Sequence, residues 1–350
     1  MLISGLFVGL ALGFVMQRGR FCVTGAFRDV WVTRNTRWLT AFLVVVAVQS
    51  VGVFALDAAG VITLSASPFP WLATVIGGFI FGFAIVLAGG CATGTYYRAG
   101  EGLVGSWLAL IAYALFAAVM KTGPLMGFNT AMRSVTVEQS NFYSVLGVSP
   151  WLFVTLLVAG VGLAVRHHLN KPRIPLAALP AAKTGLAHLL FEKPWNAFAT
   201  AVVIGLIAIA AWPLSWATGR EDGLGITTPS SKLVGYLVTG DPELVDWGVF
   251  LVIGILLGSY IAAKGSGEFR VRMPDAATAV KSLGGGALMG IGAALAGGCT
   301  IGNAMVQTAQ FSFQGWTALV FMVLGTGLAA KLTITNRRKS PLPARVPAGV

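Results

Sequence analysis

Apolar residues run along this chain in nine long stretches separated by short polar segments, and the stretches are continuous where a half-buried helix or strand would alternate. Each is read as a helix crossing about 30 Å of hydrocarbon, the shorter ones needing several more residues at their edges. They are placed at 2–16, 38–56, 71–88, 103–120, 150–165, 195–212, 247–263, 283–296 and 315–330. Several open on Trp or Pro, as expected where amphipathic rings settle at the interface. The first stretch lacks a basic leader and a small-residue cleavage motif, so it reads as a span of the mature chain.

Composition agrees with that pattern. Hydrophobic residues make up 56% of the 350 positions and charged residues 10%, which excludes a water-soluble globular surface. Lys and Arg then orient the spans, because positive residues near span ends stay on the cytoplasmic side. With the N-terminus outside and the C-terminus inside, 20 of the 24 fall on inner segments. Arg18, Arg20, Arg28, Arg34 and Arg37 lie in the first loop. Arg166, Lys171, Arg173, Lys183 and Lys193 lie in the central one, and Arg337, Arg338, Lys339 and Arg345 in the tail. Only Lys121, Arg133, Arg220 and Lys232 fall outside. The net charge of +12 is therefore spread over inner loops, and anionic lipid headgroups, not nucleic acid, are its expected partner.

One segment of the chain repeats. Gly77-Gly78-Phe-Ile-Phe-Gly82, continuing to Leu87-Ala-Gly-Gly-Cys91-Ala-Thr-Gly94, returns 208 residues later as Gly285-Gly286-Ala-Leu-Met-Gly290, continuing to Leu295-Ala-Gly-Gly-Cys299-Thr-Ile-Gly302. A weaker echo links Phe21-Cys22-Val23-Thr24 with Leu224-Gly225-Ile226-Thr227. The strong copies occupy the third and eighth spans, so the two helices are expected to run in opposite directions. The fold class that follows is an all-α polytopic membrane protein, with about nine transmembrane helices in two inverted repeats and short re-entrant helices or loops. The expected divisions are a first half at 1–165, a cytoplasmic linker at 166–194, a second half at 195–333 and a basic tail at 334–350.

Inverted halves are a plan of secondary transporters and channels, in which substrate sites lie where helices break near the midplane. The doubled glycines Gly89-Gly90 and Gly297-Gly298 are the candidate breaks, followed by Thr93 and Thr300. Unwound backbone at that depth survives only where it lines a cavity or is buried in protein. The outer glycines, spaced Gly78-x-x-x-Gly82 and Gly286-x-x-x-Gly290, read instead as close helix contacts. On this reading the doubled glycines tolerate leucine less well than Gly78 or Gly286.

Cys22, Cys91 and Cys299 are the three cysteines, and each follows a span. Metal binding fits poorly, because no Cys-x-x-Cys occurs and His167, His168 and His188 all fall in the linker. An odd count argues against a disulfide framework, and a thiol nucleophile would lack a base, since no His or Glu falls within a span. Two readings remain: small packing residues, or neutral thiols that touch a permeating solute. A thiol is small, polarizable and a weak donor, so it suits a soft atom, and a helix restarting after each Gly-Gly-Cys would offer backbone N–H groups to an anion. No cofactor, metal or catalytic residue is expected.

At Gly-Arg-Phe-Cys22 and the two Leu-Ala-Gly-Gly-Cys motifs the chain resembles the YeeE/YedE family of sulfur-transport membrane proteins, over most of its length. That resemblance implies an inner-membrane thiosulfate importer with nine spanning helices and short dipping helices. Cys22, Cys91 and Cys299 would line its path and pass the anion along by weak S–H···S contacts, with a cytoplasmic TusA-like sulfur carrier as partner. Some members of the family are linked to selenium. The competing readings are a transporter or channel for another small solute, or a membrane thiol redox enzyme.

Overall fold

Glycine sets how closely the long helices approach one another. In the computed structural model, which describes residues 1–64, 67–171 and 184–335, the chain forms fifteen α-helices and no named strand among those residues. The first half carries α1 (Ile3–Arg18), α2 (Val23–Val32), α3 (Arg37–Ala58), α4 (Trp71–Leu87), α5 (Ala92–Gly100) and α6 (Val104–Lys121). Then come α7 (Met126–Arg133), α8 (Phe142–Leu146), α9 (Pro150–Leu169) and α10 (Gly185–Phe191). The second half carries α11 (Ala197–Trp216), α12 (Thr227–Thr239), α13 (Trp247–Gly265), α14 (Ala276–Ala296), a π-helical turn at Gly302–Gln307 and α15 (Phe313–Ala330). Nine helical stretches among the described residues are long and apolar enough to cross a membrane, and the protein is a multi-pass membrane protein. Arg173 and Lys183 of the expected linker, and Arg337, Arg338, Lys339 and Arg345 of the expected tail, lie outside the described residues.

The spans run somewhat longer than the apolar pattern alone indicates, because polar caps extend them beyond the hydrophobic residues. Asp246 accepts from the Val249 amide at 3.0 Å to start α13, and Asp275 accepts from the Thr278 amide at 3.2 Å to start α14, several residues before the apolar run begins. Ser312 accepts from the Gln314 amide at 3.1 Å to start α15. Each side chain satisfies an amide that the first turn of a helix leaves unpaired.

At the centre, α4 and α14 pack with almost nothing between their backbones. A β-carbon on Gly77 would meet the Ala296 amide, one on Gly285 the Ala88 amide, and one on Gly292 would lie 2.6 Å from the Phe81 amide. Residue number rises along one helix as it falls along the other, so the pair is antiparallel. Outside them, Gly78 and Gly82 face Ala318 and Met322 of α15, while Gly286 and Gly290 face Ala109 and Tyr113 of α6. Gly5, Gly9 and Gly13 of α1 lie against the carbonyls of Trp247, Leu251 and Ile255 of α13. These flanking seams are parallel. The contacts recur between halves: α1 lies on α13 as α11 lies on α3, α4 on α15 as α14 on α6, and α2 on α15 as α12 on α6. By contrast α9 is peripheral, packing on α3 with only Val154 and Val161 buried.

Candidate functional site

The long helices stop short at the repeated motifs. Gly89 ends α4 with φ +74° and Gly297 ends α14 with φ +81°, a left-handed turn that glycine adopts without strain. Both glycines are exposed, whereas Gly90 and Gly298 behind them are buried. Beyond the break the chain turns into helix again. The Thr95 amide donates to the Cys91 carbonyl at 2.8 Å, and at the matching place the Asn303 amide donates to the Cys299 carbonyl at 2.9 Å. The first restart is the α-helix α5 and the second is the wider π-turn. Asn303 stitches that second break, its amide nitrogen reaching the carbonyls of Ala296 at 2.8 Å and Gly298 at 2.9 Å.

Cys91 and Cys299 are buried and Cys22 is partly exposed, all three as free thiols. Cys22 and Cys299 both lie within electrostatic reach of Cys91. The Cys91 sulfur accepts from the Gly94 amide at 3.4 Å, so this thiol caps its own helix. Thr300 approaches Cys91, bringing the segment after the second break against the segment after the first. The hydroxyl of Thr93 is fully buried and has no hydrogen-bond partner, whereas the equally buried Thr300 hydroxyl meets only the Cys91 sulfur. A buried hydroxyl left unpaired costs about 1–3 kcal/mol, and Thr93 stands two residues after Cys91 while Thr300 directly follows Cys299.

Two cavities reach toward these breaks from opposite ends of the bundle. One, of about 330 Å³, is lined by Gly297, Arg133, Trp212 and the amides of Gln307, Gln310 and Gln314. Arg133 donates to the Leu295 carbonyl at 2.9 Å at its floor. The other, of about 210 Å³, is lined by Gly89, Cys22, Thr24, Arg98 and Arg28. Arg20 separates it from a neighbouring cavity of about 320 Å³ that holds Arg18, Arg37 and Glu268. The expected inner loops therefore meet at a single face.

That basic face is tied together by ion pairs. Arg20 reaches Glu101 at 3.1 Å and Glu268 at 2.8 Å, and Gln17 donates to the same two carboxylates at 3.2 and 2.7 Å. Burial pushes the Glu101 carboxyl up from its ordinary value despite Arg20. Burial acts the same way on Glu268, but the bonds from Gln17 and Arg20 outweigh it and hold that carboxyl below the usual range. Among the described residues no group of His, Cys, Asp and Glu is arranged to hold a metal ion.

All nine residues singled out from the motifs thus lie at the two breaks or at the α1–α2 junction. Sequence reasoning missed Arg98, which donates to the Gly89 carbonyl and, from Nη2, to the Cys22 sulfur at 3.5 Å. A signal for it existed: Arg98 follows Cys91 by two helical turns and so shares its face of the restarted helix. It also missed Tyr96 and Tyr113, whose phenols bond Ser230 and Thr227 of α12 at 2.8 Å each. No local signal marks Arg133, which reaches the second break from α7.

Comparison with known proteins places these residues in context. Residues 18–328 match the family described as sulphur transport. The chain is 53% identical to the thiosulfate transporter TsuA of Escherichia coli (strain K12), over 98% of this chain and 97% of that one. It is 34% identical to the thiosulfate transporter TsuA of Spirochaeta thermophila, over 93% and 97% respectively. A shorter match, 43% identical over 28% of this chain and 24% of its relative, is to the probable transporter YedE of Escherichia coli (strain K12).

Proposed function

This chain belongs to the sulphur transport family, and we propose that it imports thiosulfate across the bacterial inner membrane along a central path lined by Cys22, Cys91 and Cys299. Both long relatives carry the name thiosulfate transporter, and neither is named as an enzyme. The observation that carries the path is the buried, unpartnered hydroxyl of Thr93, with the Thr300 hydroxyl at the Cys91 sulfur, beside the buried thiols and between cavities that open at opposite ends. A passing anion supplies the acceptor that the Thr93 hydroxyl lacks. In a site closed to bulk water, neutral thiols offer the terminal sulfur of thiosulfate weak S–H donors without repelling its charge.

Two inverted halves, 1–165 and 195–333, account for the antiparallel α4–α14 pair and the recurring contacts, with the breaks at Gly89-Gly90 and Gly297-Gly298 at opposite ends of that pair and the restarted segments meeting where Thr300 reaches Cys91. The division of Lys and Arg supports an N-terminus in the periplasm and a C-terminus in the cytoplasm, with thiosulfate entering by the Gln-lined cavity and leaving beside Cys22. A TusA-like sulfur carrier would receive it there. Purified protein reconstituted in vesicles, assayed with thiosulfate, sulfate and selenite, tests the reading. Thiosulfate accumulation above the other two is expected. Uptake of selenite alone would reassign the substrate, and uptake of none would remove the transporter.

A further inference from the structure

Arg98 carries a charge that the path described above does not use. It stands near the end of α5, with its guanidinium carbon 5.8 Å from the Tyr97 ring centroid, one nitrogen on the Gly89 carbonyl and the other 3.5 Å from the Cys22 sulfur. The carboxylates nearby are already engaged. Arg20 and Gln17 hold Glu101 and Glu268, and Arg28 holds Asp29 at 2.8 Å, so Arg98 has no ion-pair partner among the described residues. A guanidinium inside a membrane-spanning segment is costly, and leaving it unpaired makes sense where a mobile anion supplies the countercharge.

Its surroundings can take such an anion. The cavity of about 210 Å³ beside Cys22 is several times the ~30 Å³ occupied by one water in the liquid. Helix α2 starts at its edge. Cys22 stands at the cap position but makes no capping bond, in contrast to Cys91, so the first-turn amides of α2 are left for another acceptor. Thr24, in that first turn, is 4% exposed and lines the cavity, and its hydroxyl has no partner.

We propose that this cavity is a second anion-binding site, on the basic face, in which Arg98 balances the charge of a small sulfur oxyanion. The first-turn amides of α2 and the Thr24 hydroxyl donate to its oxygens. The proposal rests on the reading that an anion passes Cys22, and it adds a station where the anion pauses before release. It also gives Cys22 a setting unlike those of the other two thiols, since Cys22 alone sits against a fixed cation.

The test needs no transport. In protein carrying Cys91→Ala and Cys299→Ala, Cys22 is the single thiol, and its labelling by an anionic and a cationic methanethiosulfonate reagent is followed by mass spectrometry. Sulfate, a tetrahedral dianion that does not consume the reagents, serves as the probe ligand. The anionic reagent is expected to react at least about tenfold faster than the cationic one, as for other electrostatically steered encounters, and sulfate is expected to slow it. Arg98→Gln should abolish both effects, Arg98→Lys should keep most of the reagent preference, and Thr24→Val should weaken sulfate protection while leaving the preference. Equal rates for the two reagents with Arg98 intact would overturn the proposal. So would sulfate protection unchanged by Arg98→Gln and by Thr24→Val. If Arg98→Gln does not fold, the reagent ratio on the parent and the Thr24→Val protein decide the matter. Because labelling is independent of uptake, protection can stand in a protein that fails to carry thiosulfate, and thiosulfate import can stand without protection.

Discussion

The phenol of Tyr96 lies 2.8 Å from the Ser230 hydroxyl, with both residues buried, and joins α5 of the first half to α12 of the second. Tyr113 of α6 repeats the connection at Thr227, one helical turn earlier on α12. The two tyrosines therefore hold the start of α12 against the elements that carry the breaks. Both also lie within electrostatic reach of Cys299. Replacing either by phenylalanine removes one buried hydrogen bond and little volume. Each change should lower stability by about 1 kcal/mol, read as a fall in the thermal unfolding midpoint in detergent. No change in either variant would show that α12 is held by packing alone.

The cysteines should separate by setting. Alanine fills most of the space of a thiol but cannot donate, so Cys91→Ala should abolish thiosulfate uptake while the protein still inserts and folds. Cys299→Ala should impair uptake too. The loss at Cys22 should be milder, because its position is partly exposed and its echo in the other half is Gly225. Serine donates more strongly but is harder and better hydrated, and should not restore full uptake at Cys91. Normal uptake by the triple alanine protein would return all three to packing residues.

Glycine substitutions should fall into two classes, divided by geometry. A β-carbon on Gly82 would meet the Met322 carbonyl, and one on Gly286 the Ala109 carbonyl, so leucine at either should lose folded protein. Gly78 has more room, its nearest contact being 3.3 Å away. At Gly89 a β-carbon finds open space, and the penalty is the backbone angle, about 1 kcal/mol for alanine. Gly89→Ala should therefore fold and Gly89→Leu should block the cavity beside Cys22. For folding, this reverses at Gly286 the order expected from the sequence. Membrane insertion and detergent-stable yield measure the first class, and uptake by correctly folded protein measures the second.

Much of this arrangement is legible in the chain before any folding. The doubled glycines, the cysteines after them and the spacing of Gly78 and Gly82 announce both the breaks and the close seams, because glycine's effect is local to its own backbone. Arg133 is different. Its place depends on α7 folding back over the end of α14, a contact between residues 162 positions apart. The pairing of Arg20 with Glu268 is equally non-local, and no periodicity reports which carboxylate a guanidinium will find. The start of α14 is hidden from hydropathy for a related reason: Asp275 begins it by capping, ahead of the apolar residues.

The ion pairs at the basic face make stability depend on pH. The Glu268 carboxyl is held below its ordinary value, so its contribution is full above the usual carboxylate range and is lost as pH falls through the folded-state value. Glu268 is about one-third exposed, and solvent screening limits the contribution to about 1 kcal/mol or less. Glu268→Gln should lower the unfolding midpoint at about pH 7, and the gap to the parent should close toward about pH 4. Glu101→Gln should cost less at neutral pH, since burial already disfavours the ionised carboxyl there and glutamine can still accept from Gln17. A gap for Glu268→Gln that widened on acidification would contradict the pairing.

The glycine seam between α4 and α14 also has a mechanical consequence. Backbone touches backbone at Gly77, Gly285 and Gly292, so the joint has no compliant layer. Displacing one helix along the other by a single residue, about 1.5 Å, would drive side chains into main chain at all three points. The seam acts as a fixed axle, and the parallel seams on either side clamp it to α6 and α15. Whatever yields when a solute goes through must then be small. The short elements hung from the axle's ends are α5, tied to α12 by Tyr96, and the π-turn at Gly302–Gln307, stitched by Asn303, together with the α1–α2 elbow, where Arg20 bends at φ +50°. Sliding along the frame is barred, which leaves these short elements as the parts to displace.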